Sequence, residues 1–156
     1  MGYFQRIGLL GTLDLPEVKE SLLKLETFLA SQGRTVLYEQ HTAELVDWPV
    51  KNPLPLADFI NTIDLGIVVG GDGSMLSASR KMASTGIPLL GINRGRLGFL
   101  TDISPDEIEQ RGLPVLSGDY KQTRRFVLQT EVVRDGQQIG HGTAVNDIAL
   151  HPGMSA

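Results

Sequence analysis

The chain contains no cysteine. That absence excludes disulfides, thiolate metal sites and a cysteine nucleophile, and it fits a cytosolic protein. Histidine is scarce: His41, His141 and His151 stand far apart, without the short spacing of a metal site. No apolar run approaches the roughly 18 residues a membrane-spanning helix needs. The N-terminus, with Arg6 among alternating residues, lacks a signal-peptide pattern. Positive charge is not in excess, and a formal net charge of -4 gives no support to nucleic-acid or anionic-membrane binding. No Gly-Lys-Ser or Gly-Lys-Thr occurs, so there is no Walker phosphate loop. Ser74 lies in Gly-Asp-Gly-Ser-Met rather than in the Gly-x-Ser-x-Gly of a hydrolase elbow. What remains is a globular composition, 41% hydrophobic and 21% charged over 156 residues, enough for one ordinary domain and part of a second. A soluble, cytoplasmic protein with neither nucleic-acid nor membrane partners is expected.

Strands and helices alternate in the first two thirds. Ile7 to Gly11 reads as a buried strand. Pro16 then suits a first helical turn, with Asp14 as its cap, and Val18, Leu22, Leu25, Phe28 and Leu29 recur at helical spacing until Gly33. Thr35 to Tyr38 is a second strand. Between His41 and Asn61, Pro49, Pro53 and Pro55 break any long element, which leaves a loop with a short helix near Leu56 to Ile60. Asp64 to Val69 is a third strand, Met75, Ala78, Met82 and Ala83 mark a helix closed by Gly86, and Ile87 to Ile92 is a fourth strand. Ser104-Pro105-Asp106-Glu107 is a capping box that opens one more short helix. This alternation implies an α/β domain with a parallel sheet flanked by helices, over residues 1–117.

From residue 118 to 156 the pattern changes to β. Phe126 to Val133 and Gln138 to Leu150 are strand-like and meet at Asp135-Gly136, a strong two-residue hairpin turn. A hairpin alone is marginal. These residues therefore read as the opening of an incomplete all-β domain, and the chain as a piece of a longer protein.

Three clusters could carry chemistry. In the first, Ile67-Val68-Val69 breaks into Gly70-Gly71-Asp72-Gly73-Ser74 and a helix follows at once. Glycines at such a turn let the backbone approach a ligand closely, and the helix N-terminus favours phosphate. An aspartate there would repel phosphate unless it binds a metal carried by the phosphates or takes a proton from an attacking hydroxyl. Both options point to phosphoryl transfer. The second cluster is Gly91-Ile92-Asn93-Arg94-Gly95-Arg96-Leu97-Gly98-Phe99-Leu100-Thr101-Asp102, where another strand empties into a glycine-rich loop at the same sheet edge. Phe99 could stack a base and Arg94 or Arg96 could meet phosphate; alternatively Phe99 and Leu100 are core residues plugging a domain junction and the arginines are solvated. The third is Asn146-Asp147 inside an apolar strand, where alternation turns one of the pair inward to hydrogen-bond, for example, ribose hydroxyls, unless a bulge or turn lies there.

Together these segments resemble one family, the bacterial NAD kinases. Gly70-Gly71-Asp72-Gly73-Ser74 is similar to their Gly-Gly-Asp-Gly-[Ser/Thr] signature, Asn93 to Asp102 to their Asn-x-Gly-x-Leu-Gly-Phe-Leu-Thr-Asp loop, and Asn146-Asp147 to their Asn-[Glu/Asp] pair. The resemblance implies transfer of the terminal phosphoryl of ATP, or of polyphosphate in some members, to the 2′-hydroxyl of the adenosine ribose of NAD, with magnesium accompanying the nucleotide. It implies that Asp72 removes the hydroxyl proton, that Gly73 contacts NAD, and that Gly70 and Gly71 face the phosphates. Ser74 completes that binding signature, Phe99 lies beside the adenine, and Asn146 with Asp147 grips the dinucleotide. An Asp72→Asn variant is then expected to bind NAD but lose turnover. Members run to nearly twice this length, and their second, all-β domain supplies further contacts and the homo-oligomer interface. The segment from Trp48 to Pro55 is shorter and richer in proline than the family pattern. The alternatives are a catalytically silent nucleotide-binding fragment of such an enzyme, or a lipid or sugar kinase sharing the glycine motif.

Overall fold

The computed structural model describes residues 3–94, 98–101 and 103–149. Gly95, Arg96, Leu97 and Asp102 of the second cluster, Leu150 at the expected end of the last strand, and His151 lie outside the described residues. The chain divides into two compact units after Lys121.

The first unit is built on four parallel strands in the order β2-β1-β3-β4: β1 (Arg6–Gly11), β2 (Thr35–Tyr38), β3 (Leu65–Gly70) and β4 (Leu89–Asn93). Side-chain alternation sorts the strands onto two faces. Ile7, Leu9, Leu65, Ile67, Val69 and Ile92 share one core with α1 (Pro16–Ser31) and with Ile108 and Leu116. Leu10 and Val68 face the other way, onto Phe59 and Ile63 and onto Ala78 and Met82 of α4 (Asp72–Met82). Small residues allow the close approach on this side. A Cβ on Gly8 would stand 2.3 Å from the Phe59 ring, and one on Gly66 would stand 2.6 Å from Leu89. The helices α1 and α4 thus lie in separate layers on a sheet buried from both sides, the arrangement parallel strands require.

The expected helices form, with corrections. Pro16 opens α1, but the cap residue is Leu15 and no side chain caps it. Asp14 instead pairs with Lys19 at 2.9 Å, so the Asp14 cap is wrong: the carboxylate finds a full cation rather than a peptide amide. Between His41 and Asn61 two helices occur, not one. α2 (Gln40–Leu45) exists because Glu39 caps it, accepting from the Thr42 amide at 3.2 Å, and α3 (Leu56–Thr62) follows Pro55. The capping box forms as read. Ser104 donates its amide and hydroxyl to Glu107 at 3.1 and 2.7 Å, opening a 3-10 turn (Pro105–Glu107) that continues as α5 (Ile108–Ser117). No helix among the described residues is long and apolar enough to cross a membrane.

The second unit is an antiparallel hairpin, β5 (Val127–Arg134) and β6 (Gln137–Val145). Asp135 and Gly136 turn it with φ of 51° and 75°, the paired positive values a two-residue hairpin turn demands. The strand was expected to run through Asn146-Asp147, and it does not. Asn146 takes φ 85°, a left-handed conformation that asparagine tolerates better than most residues, and β6 ends before it.

Candidate functional site

The strand order places a switch point between β1 and β3, because the chain leaves β1 toward β2 on one side and returns to β3 on the other. Ligands of open parallel sheets bind beyond the strand C-termini at such points. Here the loop after β1 brings Thr12, and the turn after β3 brings Gly70 to Ser74. The two are tied together: the Thr12 hydroxyl hydrogen-bonds the Ser74 hydroxyl. Ser74 is buried beneath the turn by this contact, so its side chain faces Thr12. Gly70 makes the packing possible. Its φ is 153°, and a Cβ there would stand 2.3 Å from Ser74 Oγ and 2.7 Å from Ser74 Cβ.

Gly71 and Gly73 differ. Neither has a positive φ, and an added Cβ would meet nothing within 4 Å at either position. The fold therefore needs glycine at 70 but not at 71 or 73, where the backbone borders open space at the start of α4. That is the geometry of a backbone left bare for something to approach.

Asp72 is the first residue of α4. Its carboxylate points to the loop after β4, which β3–β4 pairing (Gly70 opposite Asn93) brings to the same sheet edge. Oδ2 accepts the Phe99 amide at 2.8 Å and Oδ1 accepts the Leu100 amide at 3.0 Å. The Phe99 amide, then the Leu100 amide, hold the carboxyl below the usual carboxylate range against partial burial. Thr101 also favours the charged form, although its wholly buried hydroxyl meets full hydrogen-bond geometry with no partner. Asp72 is thus an oriented anion at neutral pH. Each oxygen still has acceptor capacity, since a carboxylate offers about four lone-pair sites.

Phe99 is 93% exposed beside this carboxylate. Arg94, the other candidate for phosphate, is already engaged. Its Nε donates to Ser21 Oγ at 2.5 Å and its guanidinium pairs with Glu20 at 3.2 Å, bracing the end of β4 against α1. Arg80 and Lys81 are exposed at the C-terminal turn of α4. In the hairpin unit Asn146 and Asp147 are both exposed, and Arg125 donates to Asn146 Oδ1 at 3.4 Å. The first two clusters therefore meet around Asp72, while the third belongs to the other unit.

Sequence reasoning missed Thr12, which follows an unremarkable strand, and the demand on Gly98. A Cβ on Gly98 would stand 2.2 Å from Asp72 Oδ1. No group of three or more His, Cys, Asp or Glu side chains among the described residues could hold a metal ion.

The chain is similar to known proteins in sequence and in fold. The family model of the ATP-NAD kinase N-terminal domain matches residues 7–120. The NAD kinase of Marinobacter nauticus is 44% identical over 155 residues, covering 99% of this chain and 53% of that protein. That of Hahella chejuensis is 45% identical over 158 residues, covering 99% and 52%. The chain spans about half the length of the curated relatives it matches. Among solved structures, yeast NADH kinase complexed with NADH superposes with a TM-score of 0.74 at 22% identity, over 90% of this chain and 46% of that one. The NAD kinase from Archaeoglobus fulgidus in complex with ATP gives 0.56 at 20% identity, over 86% and 45%. At such identities these two superpositions speak for the fold alone.

Proposed function

This chain belongs to the NAD kinase family, and from that premise we propose that the protein transfers the terminal phosphoryl group of ATP to the 2′-hydroxyl of the adenosine ribose of NAD, forming NADP and ADP. The observation that carries the reading is Asp72: an anion at the mouth of the sheet, held in orientation by two peptide amides, beside bare glycine backbone and an exposed aromatic ring.

In the proposed step the ribose hydroxyl donates to a free lone pair of the Asp72 carboxylate. Its oxygen attacks the terminal phosphorus, the bond from that phosphorus to the bridging oxygen breaks, and ADP leaves. The hydroxyl proton passes to Asp72 and then to water. A carboxyl held below its ordinary range is a weak base. Phosphoryl transfer through a loose transition state asks for little deprotonation before bond cleavage, so orientation matters more than basicity. Base assistance of this kind contributes roughly 100- to 10,000-fold. The amides at the start of α4, with Gly70 and Gly71, would receive phosphate, Gly73 would contact NAD, and Phe99 would lie against the adenine. Asn146 and Asp147 would hold the dinucleotide.

Magnesium is assigned to the nucleotide as part of the substrate. The ion would neutralise charge on the transferred group. The same reading includes a homo-oligomer assembled through the second domain, in the cytoplasm; sedimentation of the complete protein checks the assembly.

The test is product identity. The chain, alone and joined to a relative's C-terminal half, is supplied with NAD, ATP and magnesium. Phosphorus NMR should show a monoester on the adenosine 2′-oxygen. Nucleotide binding without turnover in the joined protein, or transfer to a lipid or sugar offered in place of NAD with none to NAD, would overturn the proposal.

A further inference from the structure

Asp72 and the loop after β4 are joined more closely than a proton acceptor requires. Each carboxylate oxygen takes one amide, from Phe99 at 2.8 Å and from Leu100 at 3.0 Å. Gly98 lies against the same group, and an added Cβ would stand 2.2 Å from Oδ1, 2.5 Å from Cγ and 2.8 Å from Oδ2. The loop is anchored elsewhere on both sides: the Arg94 amide donates to the Gly70 carbonyl at 3.0 Å, and Thr101 is fully buried against Gly91. Between these anchors, among the described residues, the hydrogen bonds of residues 98–100 go to Asp72. The Phe99 ring is 93% exposed, so its backbone sets its place.

We propose that the Asp72 carboxylate is also the fastening that positions Phe99, so that one anion sets both the proton acceptor and the aromatic face beside it. This rests on the reading of Asp72 and Phe99 given above. It extends the expectation that Asp72→Asn binds NAD but loses turnover. An asparagine keeps one acceptor oxygen but turns an NH2 group toward a peptide N–H, so one backbone donor loses its partner and two donors face each other. Hydrogen bonds to a charged group are among the strong ones, and losing one corresponds to about 10- to 100-fold in an equilibrium constant. The variant should therefore lose dinucleotide affinity as well as turnover.

Gly98→Ala separates the two tasks, because it keeps the carboxylate and denies the loop its approach. In the joined protein this variant should raise KM for NAD by about tenfold or more, with kcat falling much less than in Asp72→Asn. A second measurement needs neither catalysis nor a variant that folds. In the ligand-free chain the amide protons of Phe99 and Leu100 should shift together on acid titration, with a midpoint below that of an ordinary aspartate. The Phe99 and Leu100 amides are the first two causes of that lowering, with Thr101 adding to it. Amide signals that ignore the carboxylate, with an unchanged KM in Gly98→Ala, would overturn the proposal and leave the kinase reading standing. Titrating amides in a joined protein that never phosphorylates NAD would instead sink the kinase reading and leave the fastening.

Discussion

Replacing Gly73 by alanine should raise the stability of the protein and lower its activity. Gly73 is the second residue of α4, its φ is not positive, and an added Cβ meets nothing within 4 Å. Alanine in place of glycine at such a helical position gains about 0.4–1 kcal/mol, chiefly by restricting the unfolded chain. The melting temperature should rise by about 1–4 °C. The same methyl group projects into the open space where the dinucleotide is proposed to approach. Forcing one methyl group into a close contact costs about 1–3 kcal/mol, or roughly 5- to 150-fold in affinity. Thermal melts and NAD titrations on the same preparations separate the two effects. Gly70→Ala is the control, because its Cβ would overlap Ser74 at 2.3 and 2.7 Å, so that stability and binding should fall together. A Gly73→Ala protein that binds NAD as tightly as the parent would refute the placement of the ligand over this turn. One that melts lower would refute the geometry.

Thr12→Val and Ser74→Ala should not be additive: a double-mutant cycle in urea should return a coupling of about 0.5–1.5 kcal/mol, and additive losses would mean that the two hydroxyls do not hold the loops together. The carboxyls of Asp72 (peptide amides), Glu20 (Lys24) and Glu107 (Ser104) are all lowered in the folded chain. A folded value below the unfolded one gives stabilisation that is full above the unfolded value and lost as pH falls through the folded one. The melting temperature should therefore hold from neutrality to about pH 5 and fall below it, whereas a loss beginning between neutrality and that point would contradict these shifts. The hairpin carries Phe126, Val132, Val133 and Ile139 at 72%, 52%, 60% and 54% exposure. The chain alone should self-associate with rising concentration in sedimentation, and Val133→Lys with Ile139→Lys should suppress it; a parent chain that stays monomeric removes that role for the hairpin face.

The parts of the fold that could be read from sequence are those whose cause is local. An apolar run broken by glycines, a proline at a first helical turn, a Ser-Pro-Asp-Glu box and an Asp-Gly pair each dictate structure within a few residues. The helix α2 was missed because six residues with a single Glu39 cap give almost no periodicity. Asp14 does not cap α1 because its carboxylate pairs with Lys19, in the first turn of the helix. Asn146 has apolar neighbours that read as strand, but its φ is left-handed and the ladder stops before it. The site divides the same way. Asp72 and the bare glycines announce themselves, but the amides that hold the carboxylate come from residues 27 and 28 positions further along. The engagement of Arg94 by Glu20 spans 74. No periodicity encodes such contacts; strand order does, by bringing the ends of β1, β3 and β4 to one edge.

The most direct test of Asp72 as the proton acceptor is kcat for NADP formation by Asp72→Asn at saturating NAD and magnesium-ATP, in the chain joined to a relative's C-terminal half. Saturation matters, because the same variant is expected to bind NAD less tightly. The kcat should be lower by roughly 100- to 10,000-fold. A kcat near that of the parent under saturation would contradict it, and would leave Asp72 as a fastening for the loop alone.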